Sequence, residues 1–306
     1  MIKVSVITPV YNSEKYLDRL LESLVNQNYD NYEIVLINDG SVDNSLKIIE
    51  DYQKKYSNII CHTIKNSGPG VARKIGYQKS TGDLLLFVDS DDYLFDNNVI
   101  SYVVDVYKEN NFDLLMYNSK LIFDDKTIIT SALKNRINEI KPGINDIDKL
   151  KNISIDGALW YKVLVRKNIK DEYFIPENSY EDFYTTYTYL NECKNFYLSD
   201  KTLYCSDRSN NDSISKKINP EKISKTVDLL IKLYKETNFK KSLEFIIYDF
   251  YNFSRRRIDK SDLSKQDKKL YTKKIKQLKK YFSFKTLINT KVSLTEYLKY
   301  FYYLFR

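Results

Sequence analysis

The feature of this sequence that most constrains its fold is an alternation of two hydrophobic patterns over roughly the first hundred residues. Four short runs are apolar at nearly every position, and the three segments between them carry apolar residues at helical spacing. Strands that are apolar on both faces and are separated by helices are typical of a parallel sheet with right-handed crossovers. The alternation therefore predicts an α/β fold whose first four strands are KVSVITPV, YEIVLIND, IICHTI and DLLLFVD.

The segment after the first strand shows the helical pattern. Ser13 precedes its apolar residues and is of a type that caps helix N-termini, so we predict that Ser13 caps this helix. The segment reads SEKYLDRLLESLVNQ, and its apolar stripe consists of Leu17, Leu20, Leu21, Leu24 and Val25.

Each of the four predicted strands ends in polar residues. The carboxyl ends of parallel strands lie along one edge of a sheet, and ligands of open α/β sheets bind at that edge. The sequence therefore predicts a ligand site built from four strand ends, which carry Thr8-Pro9-Val10-Tyr11, Asn38-Asp39-Gly40, Lys65-Asn66 and Asp89-Ser90-Asp91-Asp92.

The fourth strand end places carboxylates close together, which is unfavourable unless water or a cation surrounds them. Asp89 and Asp91 flank Ser90 directly after the strand. Mg²⁺ and Mn²⁺ take oxygen ligands, commonly only one or two carboxylates, with phosphates and waters completing the shell. The pattern predicts a divalent-cation site that also holds a diphosphate, and a solvated turn is the alternative.

Other residues near the strand ends have the chemistry to hold a nucleoside. Asp39 can accept a hydrogen bond from a base N–H, Tyr11 can stack on the base, and Arg73 can face base or phosphate. For Arg73, a surface charge on its helix is the alternative. The chain contains neither G-x-G-x-x-G nor G-x-x-x-x-G-K-[ST], which argues against a dinucleotide cofactor and a P-loop nucleotide site.

Four ordered stretches of the same region resemble the signatures of family 2 glycosyltransferases. The resemblance implies the GT-A fold, in which a Rossmann-like sheet is mostly parallel. It also implies an inverting sugar transfer from a nucleoside diphosphate donor, usually UDP, with Mn²⁺ or Mg²⁺. The four stretches are VSVITPVYNSEKYLDRLLESLVNQ, EIVLINDGSVDNS, NSGPGVARKIG and GDLLLFVDSDD, and their spacing matches the family as well.

The resemblance also implies roles for the residues at the strand ends. Arg73 would lie near the base, Asp89 near the ribose or diphosphate, and Asp91 would be the principal metal ligand, with Asp89 as the second. The resulting nucleotide-binding set is Thr8, Pro9, Tyr11, Asp39, Arg73, Asp89 and Ser90.

A segment further along, IPENSYEDFYTTY, resembles the family motif that supplies the catalytic base. An inverting transfer needs one carboxylate to take the proton of the acceptor hydroxyl as its oxygen attacks. By the matching position, Asp182 is assigned as the base and Glu181 as its support. The alternative is that the pair only enriches the first turn of a helix, where negative charge is favourable.

Two more segments resemble family motifs on the acceptor and phosphate side. GALWYKVLVRKNI resembles W-x-K-hydrophobic-x-R, and its Trp160 is either an acceptor-sugar platform or a core anchor. YCSDRSNNDSIS resembles a Tyr-x-x-Arg…Ser-Ile-Ser segment that covers the donor phosphates, in which Arg208 and Ser213 would be the equivalents.

Charge divides the chain into two parts. Residues 216–306 hold 24 Lys and Arg against 9 Asp and Glu, a net charge of +15, whereas the whole chain carries +8. We therefore predict a GT-A domain over 1–215 and a basic, Tyr-rich helical domain over 216–306. The basic domain would bind an anionic membrane surface, or pack and dimerise through helices with a solvated Lys face. Nucleic-acid binding is a third interpretation, which the lack of any accompanying signature disfavours.

Together these patterns predict an enzyme that moves a sugar from a UDP-sugar to a hydroxyl of a glycan or lipid-linked acceptor, in surface polysaccharide or glycoconjugate synthesis. The alternative is a non-catalytic sugar-nucleotide or glycan-binding protein on the same fold. The N-terminus lacks a leader pattern, no apolar run approaches the ~20 residues that span a bilayer, and the three cysteines lack metal-ligand spacing. We expect a cytoplasmic protein, peripheral on the inner face of the plasma membrane if its acceptor is lipid-linked.

Overall fold

The structure is a computed structural model of the 306-residue chain. It describes residues 1–131, 133, 140–175, 180–208 and 220–282.

The first hundred residues form parallel strands joined by helices, as the sequence predicts. The sheet order in this part is β3-β2-β1-β4, and each neighbouring pair is parallel. The carboxyl ends of these strands therefore share one edge. The strands are β1 (Val4–Val10), β2 (Tyr32–Asp39), β3 (Ile59–Ile64) and β4 (Leu84–Phe87), and the helices are α1 (Leu17–Val25), α2 (Ser45–Gln53) and α3 (Pro69–Lys79).

The sheet continues past β4 with mixed strand directions. In this half, β9 (Lys162–Val165) is antiparallel to both β4 and β6 (Leu114–Ile122), whereas β10 (Asn195–Asp207) is parallel to β6. The predicted α/β fold with a mostly parallel central sheet is confirmed. The further elements are β5 (Tyr93–Leu94), α4 (Val99–Asn110), β6 (Leu114–Ile122), β7 (Thr127–Ser131), β8 (Gly143–Asp146), β9 (Lys162–Val165), α5 (Glu181–Leu190) and β10 (Asn195–Asp207).

Helix α1 packs through the predicted apolar stripe, although it begins later than expected. Its fully buried residues are spaced three, one and three apart, so they lie on one face, and each contributes about 2 kcal/mol by burial. The prediction that Ser13 caps this helix is wrong, because the helix begins at Leu17 and Tyr16 occupies the cap position. The buried residues are Leu17, Leu20, Leu21 and Leu24.

The C-terminal part of the described chain is helical, which confirms that prediction. Its helices pack on one another and on α5, where the hydroxyls of Tyr187 and Ser242 share a hydrogen bond of 2.8 Å. The predicted boundary between 215 and 216 lies outside the described residues, so the division into two domains stays a prediction. The helices are α6 (Pro220–Glu236), α7 (Lys240–Lys260) and α8 (Lys265–Lys276), followed by a 3₁₀ turn over Gln277–Tyr281.

Among the helices of the described ranges, none combines the length and the apolar character needed to cross a membrane.

Candidate active site

Three segments that are far apart in sequence converge beside the end of β4. Arg73 lies on α3, Asp89 follows β4, and Glu181 and Asp182 occupy the first turn of α5. Arg73 Nη2 donates to Asp89 Oδ1 at 2.7 Å, and Arg73 Nη1 donates to Glu181 Oε1 at 2.8 Å. Asp182 Oδ1 also lies 2.8 Å from Arg73 Nη1. One guanidinium therefore contacts three carboxylates, and we call these four residues the Arg73 cluster.

Arg73 is buried, with 6% of its surface exposed, so the alternative of a surface charge is wrong. Burial by itself would lower the pKa of Arg73, but the charges of Asp182, Asp89 and Glu181 outweigh it and raise that pKa. The guanidinium is therefore a permanent cation inside the site. Because its described contacts are with carboxylates, contact between Arg73 and a base or phosphate stays a prediction.

Asp182 has the electrostatic environment of a proton acceptor that works near neutral pH. Burial raises the pKa of Asp182 to about 7; the charge of Arg73 opposes this rise, and the like charges of Glu181 and Asp89 add to it. The contact of its Oδ1 with Arg73 is an ion contact without hydrogen-bond geometry, since no described residue hydrogen-bonds that buried oxygen. A carboxylate whose pKa lies near the working pH suits general base catalysis.

Gly70 lets α3 approach the helix that carries the two acidic residues. A Cβ at this position would lie 2.7 Å from the carbonyl oxygen of Ile175 and 3.1 Å from Glu181 Cγ. The first of these distances is too short for a carbon–oxygen contact, so only glycine fits there without a shift. The glycine thus permits the close approach that brings Arg73 and Glu181 together.

Lys162 is a fully buried cation close enough to oppose the rise of the Asp182 pKa. Its Nζ donates to the carbonyl oxygens of Asp156 at 2.5 Å and Ala158 at 2.7 Å. We assigned Lys162 no role from the sequence. The signal was nevertheless present, because the lysine interrupts the apolar run LWYKVLV and a buried charge requires partners.

The turn after β4 is held by the buried side chain of Asp92. Tyr204 donates its hydroxyl to Asp92 Oδ2 at 2.7 Å, and the N–H of Asp207 donates to Asp92 Oδ1 at 2.8 Å. The N–H of Asp89 donates to the Tyr204 hydroxyl at 3.1 Å. Burial raises the pKa of Asp92 well above its ordinary value, and the charges of Asp91 and Asp89 add to the rise. The sequence did not single out Tyr204, since a tyrosine in a strand carries no signal of its partner.

The carboxylates of this turn have the donor chemistry for a divalent cation. Asp91 is half-buried, Arg19 donates to its carbonyl oxygen at 2.8 Å, and the side chain of Asp89 is 30% exposed. Among the described residues, no three acidic, His or Cys side chains are grouped to hold a metal. Two carboxylates fit Mg²⁺ or Mn²⁺ only if phosphate and water supply the remaining ligands. The residues therefore fit a cation that arrives with a diphosphate, and the metal stays a prediction.

The ends of β1 and β2 place three of the predicted nucleotide-binding residues at the same edge. Asp39 is buried, and its two carboxylate oxygens accept the N–H groups of Ser67 at 2.7 Å and Gly68 at 2.8 Å. Each oxygen keeps a second lone pair, so the carboxylate can still accept from a base. Tyr11 is 43% exposed, which leaves a ring face for stacking, and Pro9 is half-buried.

The remaining predicted nucleotide-binding residues at this edge are a threonine and a serine. The Thr8 hydroxyl is fully buried and has no hydrogen-bond partner within the described parts of the chain. The Ser90 hydroxyl shares a hydrogen bond of 2.6 Å with that of Ser13. This contact ties the turn after β4 to the loop after β1.

Trp160 belongs to an aromatic stack and is nearly buried, with 8% of its surface exposed. Its ring centroid lies 3.8 Å from that of Tyr161 and 5.1 Å from that of Tyr204, and the Arg208 guanidinium lies 5.5 Å from the Trp160 ring centroid. The structure thus brings two predicted acceptor- or phosphate-side residues together, while their roles stay predictions. The third, Ser213, lies outside the described residues.

Known proteins resemble this chain over much of its length. A family model described as glycosyl transferase family 2 matches residues 5–173. The poly(ribitol-phosphate) beta-glucosyltransferase of Bacillus spizizenii is 31% identical over 58% of this chain and 35% of its own length. The poly(ribitol-phosphate) beta-N-acetylglucosaminyltransferase TarS of Staphylococcus aureus is 30% identical over 75% of this chain and 40% of its own length. The chain therefore spans well under half of either relative.

A solved structure shows the same fold. The crystal structure of residues 1–349 of S. aureus TarS, in complex with UDP-GlcNAc, aligns with a TM-score of 0.76 at 22% identity. The alignment covers 93% of this chain and 83% of the TarS chain. This likeness confirms the predicted architecture of an α/β sheet domain followed by helices.

Proposed function

Because the chain belongs to glycosyltransferase family 2, we propose that it moves a sugar from a UDP-sugar donor to an acceptor hydroxyl with inversion at the anomeric carbon. The observation that carries this proposal is the Arg73 cluster, in which Asp182 Oδ1 lies 2.8 Å from Arg73 Nη1 and burial raises the pKa of Asp182 to about 7. The Oδ1 atom of Asp182 is buried and accepts no hydrogen bond from the described residues, and a carboxylate perturbed in this way beside a ligand site is typical of a catalytic group. The TarS neighbour, which was crystallised with UDP-GlcNAc, supports UDP as the nucleotide of the donor.

In the proposed reaction Asp182 is the general base. It takes the proton of the acceptor hydroxyl as that oxygen forms a bond to the anomeric carbon, and the bond from that carbon to the diphosphate breaks. The diphosphate leaves with the bonding electron pair as UDP. Arg73 stays protonated throughout and orients Asp182 and Asp89, and Glu181 shares the guanidinium so that Asp182 is not fully neutralised by it.

The donor would lie along the carboxyl edge of β1, β2 and β4. Tyr11 offers an exposed ring for the base, and Asp39 offers a carboxylate for a base N–H. The Thr8 hydroxyl, which has no hydrogen-bond partner among the described residues, lies next to Pro9 and is a further donor or acceptor for the nucleoside. The turn at Asp89 and Ser90 would face the ribose and diphosphate, with Arg208 and Ser213 on the phosphate side.

We propose that Asp91, with Asp89 as the second ligand, holds Mn²⁺ or Mg²⁺ at the turn after β4. When bound, such a cation offsets the charge that develops on the departing diphosphate. The protein side of this site is prepared by Arg19, Tyr204 and Asp92, whose hydrogen bonds hold the turn in place.

We propose that the acceptor is a hydroxyl of a bacterial surface polymer or of a lipid-linked saccharide. The two curated relatives are named for transfer to poly(ribitol-phosphate), which supports an anionic polymer of the cell surface as the acceptor class. Trp160 stacks on Tyr204, whose hydroxyl accepts the N–H of Asp89 in the turn after β4. We therefore propose Trp160 for the acceptor side of the site.

We also propose that the protein contacts an anionic membrane peripherally, and the lysines of α8 support this contact. Exposed lysines recur along one face of this helix and its following turn at intervals of three or four residues. Each lysine near an anionic surface contributes roughly 1 kcal/mol of attraction. Flotation with phosphatidylglycerol vesicles tests this contact. If the protein stays in the bottom fraction at low salt, the proposed membrane contact is refuted. The lysines are Lys265, Lys269, Lys273, Lys276 and Lys280.

The decisive experiment measures UDP release from a panel of UDP-sugars with Mn²⁺ and a set of polymeric and lipid-linked acceptors. We expect one donor to be turned over by the wild-type chain. Asp182→Asn should lower this turnover by about 10²- to 10⁴-fold, while its UDP affinity, read by thermal shift, stays close to that of the wild type. The exposed Asp200→Asn is the matched control for removing one carboxylate. No acceptor-dependent UDP release across the panel, or an active Asp182→Asn variant, would refute the proposed chemistry.

A further inference from the structure

The residue immediately before the two acidic residues of α5 has an unusual backbone conformation. Three non-glycine residues of the described chain have a positive φ: Asn12 at 48°, Asn111 at 46° and Tyr180 at 73°. Asparagine tolerates this region, whereas a bulky residue rarely adopts it. Tyr180 therefore needs surroundings that hold it there.

Tyr180 determines how α5 begins. Its carbonyl oxygen accepts the N–H groups of Phe183 at 3.1 Å and Tyr184 at 3.3 Å, so it forms the first turn of the helix. Glu181 and Asp182 lie inside this turn. A change in the backbone of Tyr180 would therefore redirect both carboxylates relative to Arg73.

The ring of Tyr180 is held by a residue of the C-terminal helices. Phe250 on α7 is 3% exposed and meets the Tyr180 ring edge to face, with ring centroids 5.2 Å apart and planes at 88°. The Phe183 ring, one turn along α5, is tilted by 45° against the Tyr180 ring, with ring centroids 5.1 Å apart. An aromatic contact from α7 thus reaches the residue that precedes the acidic pair.

The start of α5 is also contacted by the loop before β9. A Cβ on Gly157 would lie 2.2 Å from a ring carbon of Phe183, so this ring rests directly on the glycine backbone. Thr186 also donates its hydroxyl to the carbonyl oxygen of Gly157 at 2.7 Å. The start of α5 therefore contacts Gly157 through Phe183 and Phe250 through Tyr180.

We infer that Phe250 is a positioning residue for sugar transfer: it holds Tyr180 in its left-handed conformation and thereby directs Asp182 at the reacting hydroxyl. This inference rests on the proposed function of Asp182. It makes the C-terminal helices part of the catalytic geometry, in addition to any membrane contact they provide.

Loss of the Phe250 ring has a consequence for the charge state of Asp182. Without the contact of the Phe250 ring, Tyr180 can return to a negative φ. The first turn of α5 then shifts and moves Asp182 towards water. Burial, the main cause of the raised pKa of Asp182, would be reduced, so that pKa would fall from about 7. The charged groups that face Asp182 are Arg73 on α3, Asp89 after β4, Glu181 on α5 and Lys162 on β9.

The experiment compares Phe250→Leu and Phe250→Ala with a control on the same helix. The control is Tyr248→Ala. Tyr248 makes an edge-on ring contact with Phe282, with centroids 5.3 Å apart, and Phe282 is not part of α5. The control therefore removes a similar aromatic contact that does not involve Tyr180. We expect Phe250→Ala to lower kcat about tenfold or more through misplacement of the base, with little change in the donor KM. The acidic limb of the kcat profile should move to lower pH.

A double-mutant cycle with Tyr180→Gly separates positioning from general packing. Glycine adopts positive φ without a ring to hold it there, so Phe250→Ala should cost much less in a Tyr180→Gly chain than in the wild type. Full additivity of the two changes would overturn the inference. Equal losses of kcat in Tyr248→Ala and Phe250→Ala would do the same.

A second readout does not depend on activity. The chain is labelled with ¹³C at aspartate carboxyls, and Asp182→Asn assigns the resonance of Asp182. Its titration midpoint is then compared between the wild type and Phe250→Leu, whose smaller change preserves the fold. A lower titration midpoint in the variant supports the positioning role of Phe250 even if no sugar donor is found. An unchanged midpoint refutes that role even if the chain is an active transferase.

Discussion

Replacing Asp182 with asparagine tests the electrostatics of the candidate site through stability as well as activity. The substitution keeps the shape of the side chain but removes its ability to ionise and to accept the proton of a hydroxyl. Arg73 retains Asp89 and Glu181 as partners, so the change does not leave its buried guanidinium without a counter-charge. The unfolding free energy of the variant therefore reports mainly on the carboxyl group.

The expected magnitude follows from the raised pKa. Burial raises the pKa of Asp182 from 3.8 to about 7, so this carboxyl contributes stability at low pH that is lost as the pH rises towards 7. The Asp182→Asn variant shows no such loss, because its amide does not ionise. The stability difference between variant and wild type should grow in favour of the variant by about 1.4 kcal/mol per pH unit between pH 5 and 7, roughly 3 kcal/mol in all, and then level off.

Urea unfolding of both proteins at pH 5, 6, 7 and 8 measures this difference, with exposed Asp200→Asn as the control. Sugar transfer by Asp182→Asn should fall by about 10²- to 10⁴-fold over the same range, since the variant lacks the proposed general base. If Asp182→Asn is inactive and has a higher free energy of unfolding than the wild type at pH 8, the Asp182 carboxylate lowers the stability of the protein while it serves activity. A stability difference that does not change between pH 5 and 8 would refute the raised pKa and the argument built on it.

Three further substitutions test the surroundings of the cluster. Asp91→Ala should abolish metal-dependent transfer with little change in melting temperature, and activity restored by excess Mn²⁺ would argue against Asp91 as the principal ligand. Tyr204→Phe removes the partner of the Asp89 N–H and one of the two hydrogen bonds to the Asp92 carboxyl, so urea unfolding should show a loss of about 1–3 kcal/mol; an unchanged midpoint would contradict this. Gly157→Ala forces a Cβ against the Phe183 ring and should cost about 1–3 kcal/mol together with transfer activity, an expectation that wild-type values of both would overturn.

The alternation of strands and helices was predictable because it depends on short-range periodicity. An apolar run or a stripe at helical spacing shows its burial within a few residues, and β1 to β4 and α1 to α3 formed as expected. The edge at which the polar strand ends meet was predictable too, since parallel strands leave no other arrangement of their carboxyl ends. The family 2 motifs added the pairing of Glu181 with Asp182 as the acidic element of the site.

Capping by Ser13 shows where such local reasoning stops. The residue has the right type and lies close to the right position, but its hydroxyl bonds Ser90, which is 77 residues away. The helix begins later, at Leu17. A local preference of about 1 kcal/mol is readily outweighed by a tertiary contact, and the partner of that contact is not visible nearby in the sequence.

The sequence alone determined which elements form, in what order, and at which edge their polar ends gather. Only the tertiary structure decided what those polar groups do to one another. Arg73 contacts Asp89, 16 residues away, and Glu181, 108 residues away, and the resulting burial and charge set the pKa of Asp182. The same holds for Phe250 and Tyr180. Burial is encoded locally because it follows from periodicity, whereas proton affinity and backbone strain depend on distances between segments that meet only in the folded chain.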